Sequence, residues 1–144
     1  MAAERSATVV WQGDLMNGSG TIAEVPSGAF GPLDVTWASR AEEPNGRTSP
    51  EELIASAWAS CFAMSLSGRL ARGGNPPEKL ETSATVTFQP GEGLIKGVLS
   101  VRGTVPGMDE SAFKEAAEGA KDNCPVSKAL AGIPDVTLEA SLAG

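Results

Sequence analysis

The sequence predicts an α+β domain. One long helix divides two groups of strands, and a shorter helical stretch precedes the last strand. Three observations carry this. "SPEELIASAWASCFAMSLSGRLARGG" opens on a helix-capping pattern and closes on a Gly-Gly stop. The segments on either side alternate apolar and polar residues in the manner of half-buried strands. The chain has 144 residues, the size of one ordinary domain, so residues 1–144 are expected to form a single unit.

Taken in order, "SATVVWQGD" (Ser6 to Asp14) reads as a first strand. "NGSGTIAEV" follows with turn signals at Asn17-Gly18 and Gly20, as in a hairpin. The Gly18-x-Gly20 pair has no following helix and no third glycine in register, so it reads as a turn rather than a phosphate loop. "LDVTWASR" (Leu33 to Arg40) is rich in strand formers and reads as a third strand. "AEEPNGRT" is polar, with Pro44 and Asn45-Gly46, and reads as a loop.

The long helix comes next. Ser49 is a good N-cap, Pro50 falls at N1, and Glu52 completes a capping box. Its span is about 22 residues, roughly 33 Å at 1.5 Å per residue. It is apolar over most of its girth: Leu53, Ala57, Cys61, Met64 and Gly68 share one face, with Ile54, Trp58, Phe62 and Leu66 beside it. One small domain has difficulty covering such a helix on all sides, which points to a second subunit packed on it.

"KLETSATVTFQP" and "GLIKGVLSVRGTVPG" read as strands joined by "PGEG". Leu80, Thr82, Ala84, Val86 and Phe88 fall on one face, with Ile95, Val98 and Val101 as expected counterparts. "MDESAFKEAAEGAKDN" is a second amphipathic helix, starting near Asp109 or Ser111. "CPVSKALAG" is a short third helix with Pro125 at N1, and "DVTLEASLAG" closes as a strand. The expected order is β-β-β-α-β-β-α-α-β.

Composition narrows the chemistry. Hydrophobic residues make up 41% and charged residues 20%, as in a soluble globular chain. No apolar run is long enough to span a bilayer, and "MAAERSATVVWQGD" lacks the apolar core of a signal peptide, so a cytoplasmic location and no membrane association are expected. A net charge of −7 argues against nucleic acid as a partner. The chain has no histidine and no tyrosine, which excludes Ser-His-Asp and Cys-His catalysis. A metal would have two cysteines and carboxylates for ligands, a poor set. No metal and no cofactor is expected.

General acid–base work falls to Asp, Glu, Lys or the two cysteines, Cys61 and Cys124, 63 positions apart. A permanent disulfide is improbable in a reducing compartment. Read structurally, both are small buried hydrophobes. Read chemically, Cys124 precedes Pro125 at a helix start, where thiol pKa values fall, whereas Cys61 lies mid-helix and needs a cation from elsewhere. Arg40 and Arg47, in and beside the preceding loop, are the candidates. Glu51 favours the helix dipole at N2. It precedes Cys61 by ten helical residues, roughly 15 Å of rise, so it can serve Cys61 only from another chain.

"TSPEELIASAWASCFAMSLS" and "AKDNCPVSKAL" together resemble the osmotically inducible protein C family with its organic hydroperoxide resistance branch (OsmC/Ohr). "PEEL" and the early tryptophan favour the OsmC branch. The resemblance implies an OsmC-like fold, with antiparallel sheets wrapped around long central helices in an intertwined homodimer. It also implies a thiol peroxidase, an antioxidant stress-response enzyme acting on organic hydroperoxides and more slowly on hydrogen peroxide. Cys61 matches the peroxidatic thiol and Cys124 the resolving thiol. Arg40 and Glu51 match the pair that holds and activates the thiolate, with Arg47 as rival to Arg40. Family members use lipoyl or other dithiol reductants. Phe62, Met64 and Trp58 are expected to give Cys61 apolar surroundings that suit alkyl hydroperoxides. Trp58 departs from the histidine or tyrosine frequent in the two branches. The alternative reading is a non-catalytic protein of this fold that binds an apolar ligand at the dimer interface.

Overall fold

The computed structural model describes residues 2–143. The α+β order is the expected one with one helix added: β1 (Val9–Gln12), β2 (Ser19–Ile22), β3 (Leu33–Val35), α1 (Trp37–Ala41), α2 (Pro50–Arg72), β4 (Lys79–Gln89), β5 (Gly93–Thr104), α3 (Glu110–Asn123), α4 (Pro125–Ala129) and β6 (Asp135–Leu142). The chain divides into two compact units that meet at Leu53 and Ile54, within α2.

The first unit holds an antiparallel sheet in the order β1-β2-β3. The third strand is shorter than the sequence suggests. Leu33–Val35 pairs with β2, and then Thr36 turns the chain into α1. The physical reason is a reciprocal cap: Thr36 Oγ1 accepts the Ser39 N–H at 3.0 Å and Ser39 Oγ accepts the Thr36 N–H at 2.9 Å. Local capping thus overrides the strand preference of Val35, Thr36 and Trp37.

At the start of α2, Ser49 Oγ accepts the Glu52 N–H at 3.1 Å, and Glu52 Oε1 accepts the Thr48 hydroxyl at 2.7 Å. Beyond Leu53 the helix buries one stripe. Trp58, Phe62, Leu66 and Leu70 recur every fourth residue and are all 1% exposed or less. The opposite side, with Ala57, Ser60 and Met64, is exposed.

The stripe belongs to the core of the second unit, with Leu99, Val101, Phe113, Ala117, Ala120 and Cys124. Its sheet runs β4-β5-β6. β4 and β5 form an antiparallel hairpin in which Leu80, Thr82, Ala84 and Val86 stand opposite Gly103, Val101, Leu99 and Gly97. The inward positions of β5 are therefore Gly97, Leu99, Val101 and Gly103, all buried. Val98, expected beside Val101, pairs with Thr85 on the other face, because side chains alternate strictly. A register shift at Thr87/Phe88 takes up the extra residue Ile95.

The expectation of antiparallel sheets needs one correction: β6 pairs with β5 in parallel. The connection passes through α3 and α4, and a helical crossover returns the chain in the same direction. α3 starts at Asp109, whose side chain accepts the Ala112 N–H at 2.8 Å. No helix among the described residues is long and apolar enough to cross a membrane.

The two inward glycines of β5 are seats for aromatic rings. A Cβ on Gly97 would lie 2.6 Å from the Trp58 ring, and one on Gly103 would lie 2.7 Å from the Phe113 ring. Both rings are fully buried and cannot swing to solvent. Gly97→Val is expected to destabilise by about 2 kcal/mol or more through overpacking. Leu99→Ala should cost about 2–5 kcal/mol through the cavity it leaves. Denaturant unfolding measures both, and a Gly97→Val midpoint equal to wild type would refute the seat.

Candidate active site

The first unit brings Arg40 to Glu51. Arg40 sits in the last turn of α1 and Glu51 in the first turn of α2. The segment between is tied to β3: the Thr48 N–H donates to Asp34 O at 3.1 Å, Val35 and Thr48 form a parallel bridge, and Ser39 Oγ donates to Thr48 O at 3.0 Å. With both ends anchored, Arg40 Nε lies 3.0 Å from Glu51 Oε1 and Arg40 Nη2 lies 2.9 Å from Oε2. This is a bidentate fork, the strongest form of carboxylate–guanidinium pair. Glu51 is 7% exposed, whereas the Arg40 side chain is one-third exposed. Arg47 lies exposed in the turn of the loop, with its N–H on Pro44 O.

The second unit brings the thiols together. Cys61 projects from the middle of α2, half-buried, while Cys124 is fully buried at the junction of α3 and α4. Both are free thiols, with their Sγ atoms 2.9 Å apart. Cys124 is the N-cap of α4, with Pro125 at N1.

Their environments pull the two sulfurs in opposite directions. Burial, and then contact with Cys124, push the Cys61 thiol above its ordinary range, and a hydrogen bond from the Val126 backbone offsets part of this. Burial acts to raise Cys124 as well. There it is outweighed by hydrogen bonds from Cys61, from the backbone and hydroxyl of Ser127, and from the Val126 backbone, so this thiol falls below its ordinary range. That agrees with the local reading of the sequence, in which the helix start favours Cys124 and Cys61 needs an outside cation.

The remaining residues expected around Cys61 divide. Trp58 and Phe62 point into the core and Met64 is 73% exposed. On the open side, Ala57 and Met64 flank Cys61 one turn to either side. Sequence reasoning missed Ser127. Its Oγ accepts the Trp58 indole N–H at 2.7 Å. The spacing of three residues from an N-cap to Ser127 was the signal available.

Against this geometry stand the relatives. The profile of the family described as OsmC-like protein matches residues 43–139. The protein named peroxiredoxin OsmC from Escherichia coli (strain K12) is 34% identical over 145 residues, covering 99% of both chains.

The chain belongs to the OsmC family.

Organic hydroperoxide resistance protein OhrA from Bacillus subtilis (strain 168) is 35% identical over 117 residues, covering 74% of this chain and 78% of its own. The match to the OsmC relative runs end to end and that to the OhrA relative does not, which supports the OsmC branch. The OsmC fold is also that of a solved structure from Legionella pneumophila described as an organic hydroperoxide resistance protein OsmC. It superimposes with a TM-score of 0.70 at 23% identity, covering 97% of this chain and 99% of its own. Within the OsmC family match lie Glu51, Cys61 and Cys124, while Arg40 lies just before it.

Proposed function

We propose that this protein is a thiol peroxidase that reduces organic hydroperoxides, with Cys61 as the peroxidatic thiol and Cys124 as the resolving thiol. The observation that carries the reading is the contact of the two sulfurs, 2.9 Å apart in a chain that has only these two cysteines. The names of its relatives, peroxiredoxin and organic hydroperoxide resistance protein, point the same way.

The steps balance as follows. The Cys61 thiolate attacks one peroxide oxygen and the O–O bond breaks. Sulfur takes that oxygen as sulfenic acid, and the alkoxide leaves as the alcohol after taking a proton. The Cys124 thiolate then attacks the Cys61 sulfur, the S–O bond breaks, and hydroxide leaves as water. A dithiol reductant, lipoyl or similar, exchanges its two thiols for the Cys61–Cys124 disulfide and returns the enzyme.

Burial and contact with Cys124 push the Cys61 thiol above its ordinary range, so the first step needs a cation at Cys61. Arg40 supplies it in this reading, oriented by its fork to Glu51. Cys61 lies ten positions along the helix from Glu51, about 15 Å of rise. The Arg40–Glu51 pair therefore acts on the Cys61 of a second subunit, and the working form is a homodimer.

Ala57 and Met64 beside Cys61 favour alkyl peroxides over hydrogen peroxide. The test is steady-state turnover with dihydrolipoamide as reductant. Turnover with cumene hydroperoxide, at a kcat/KM about tenfold or more above that with hydrogen peroxide, is expected from burial of the aryl and methyl groups. No turnover with either peroxide would refute the enzyme. Preference for hydrogen peroxide would refute the apolar site.

A further inference from the structure

Trp58 has an indole N–H inside a core of otherwise apolar side chains, and it spends that donor on one atom, Ser127 Oγ, at 2.7 Å. Ser127 is the third residue of α4, whose N-cap is Cys124. Three positions apart on one helical turn, Ser127 and Cys124 are side-chain neighbours. A serine hydroxyl carries one hydrogen and two acceptor sites. Once the oxygen accepts from Trp58, its own hydrogen is turned away from the indole.

We propose that Trp58 is a positioning residue for the second thiol: its indole N–H orients the Ser127 hydroxyl so that this hydroxyl donates to Cys124 Sγ. Three contacts in series, Trp58 to Ser127 to Cys124 to Cys61, then connect a buried ring to the sulfur pair. The depressed pKa of Cys124, to which the Ser127 hydroxyl contributes, is consistent with this. Gly97 fixes the far side of the ring, since any Cβ there would displace the indole. The titratable group against Cys124 is Cys61. The charged groups around Trp58 and Ser127 are Lys121 and Asp122 of α3 and Lys128 of α4. All three are the same in every variant below. The consequence for catalysis rests on the thiol peroxidase reading, whereas the titration does not.

The experiment isolates Cys124 in a Cys61→Ser background, where it is the sole cysteine, and follows thiolate ultraviolet absorbance against pH. Adding Trp58→Phe or Ser127→Ala should each move the Cys124 titration about one pH unit up, a tenfold loss of thiolate below the pKa. The two together should move it no further than either alone. Ser127→Thr, which keeps the hydroxyl, should restore the parent titration. Because Trp58→Phe also leaves a cavity, benzothienylalanine at position 58 provides a second variant with the ring volume but no N–H. It should behave as Trp58→Phe does. An unmoved titration in the benzothienylalanine or Ser127→Ala protein would overturn the proposal, as would additive shifts. In the otherwise wild-type chain, Trp58→Phe should slow disulfide formation after peroxide addition without slowing Cys61 oxidation. If no disulfide forms even in wild type while the titrations shift as stated, the peroxidase reading fails and the positioning role stands.

Discussion

Replacing Cys61 by serine should abolish peroxide consumption, with a loss on the order of 10⁴-fold or more, the scale on which removal of a nucleophile acts. Reduced wild type, mixed with a slight excess of cumene hydroperoxide, should lose both of its thiols per chain. The Cys61→Ser protein should keep Cys124 intact on the same timescale. Cys124→Ser should behave differently: Cys61 is still oxidised, but the sulfenic acid persists, traps dimedone, and overoxidises with further peroxide. Free-thiol titration and intact mass read all three. The pattern follows from the pair's geometry, since these two sulfurs lie 2.9 Å apart and Cys61 is the one with exposed surface. Thiol loss at the same rate in the Cys61→Ser protein would show that Cys61 is core packing.

Arg40→Lys should lower kcat/KM by about 10²-fold, the effect of removing one preorganised charged donor. Lysine keeps the charge but cannot reproduce the two-pronged contact with Glu51. Glu51→Gln should lower it less, because one amide still accepts from the guanidinium. The more telling measurement mixes two inactive proteins. A Cys61→Ser subunit carries a good Arg40, and an Arg40→Ala subunit carries a good Cys61. Subunit exchange should restore activity if the arginine works across the dimer, and no recovery from fully exchanged mixtures would place its action within one chain. Arg47→Ala should retain activity near wild type, which separates the two arginines.

The long helix was legible because its signals are local. Ser49, Pro50 and Glu52 mark its start, and Gly73-Gly74 its stop, within a few residues of each event. α1 escaped because five residues give no helical period to read, and because Val35, Thr36 and Trp37 are strand formers by composition. Only the Thr36–Ser39 cap betrays it. The inward face of β5 was misjudged at Val98 because two of its true inward residues are glycines, which carry no hydrophobic signal. They are buried for what they leave out, the space for Trp58 and Phe113.

The parallel pairing of β6 is set by a crossover and leaves no mark in the strand itself. The site divides in the same way. Residue types pointed to Cys61 and Cys124 with Arg40 or Arg47 as the cation, and the family resemblance added Glu51 and favoured Arg40, but the meeting of two sulfurs from positions so far apart is a product of packing. The choice of Arg40 over Arg47 as the partner of Glu51 likewise depends on α1, which the sequence reading did not contain.

The crossover that makes β6 parallel also sets an order of events. The β4–β5 hairpin needs only its own short turn to form. β6 can join β5 only after α3 and α4 have returned the chain, a contact of long sequence separation that forms late. Cys124 lies inside that returning segment. Newly made chains with the hairpin and long helix in place but the crossover undocked would hold Cys61 with no second sulfur near it. If Cys61 is the peroxidatic thiol, oxidant reaching them would drive this lone thiol past the reversible stage, and repair through the second sulfur would be open only to chains whose crossover has docked.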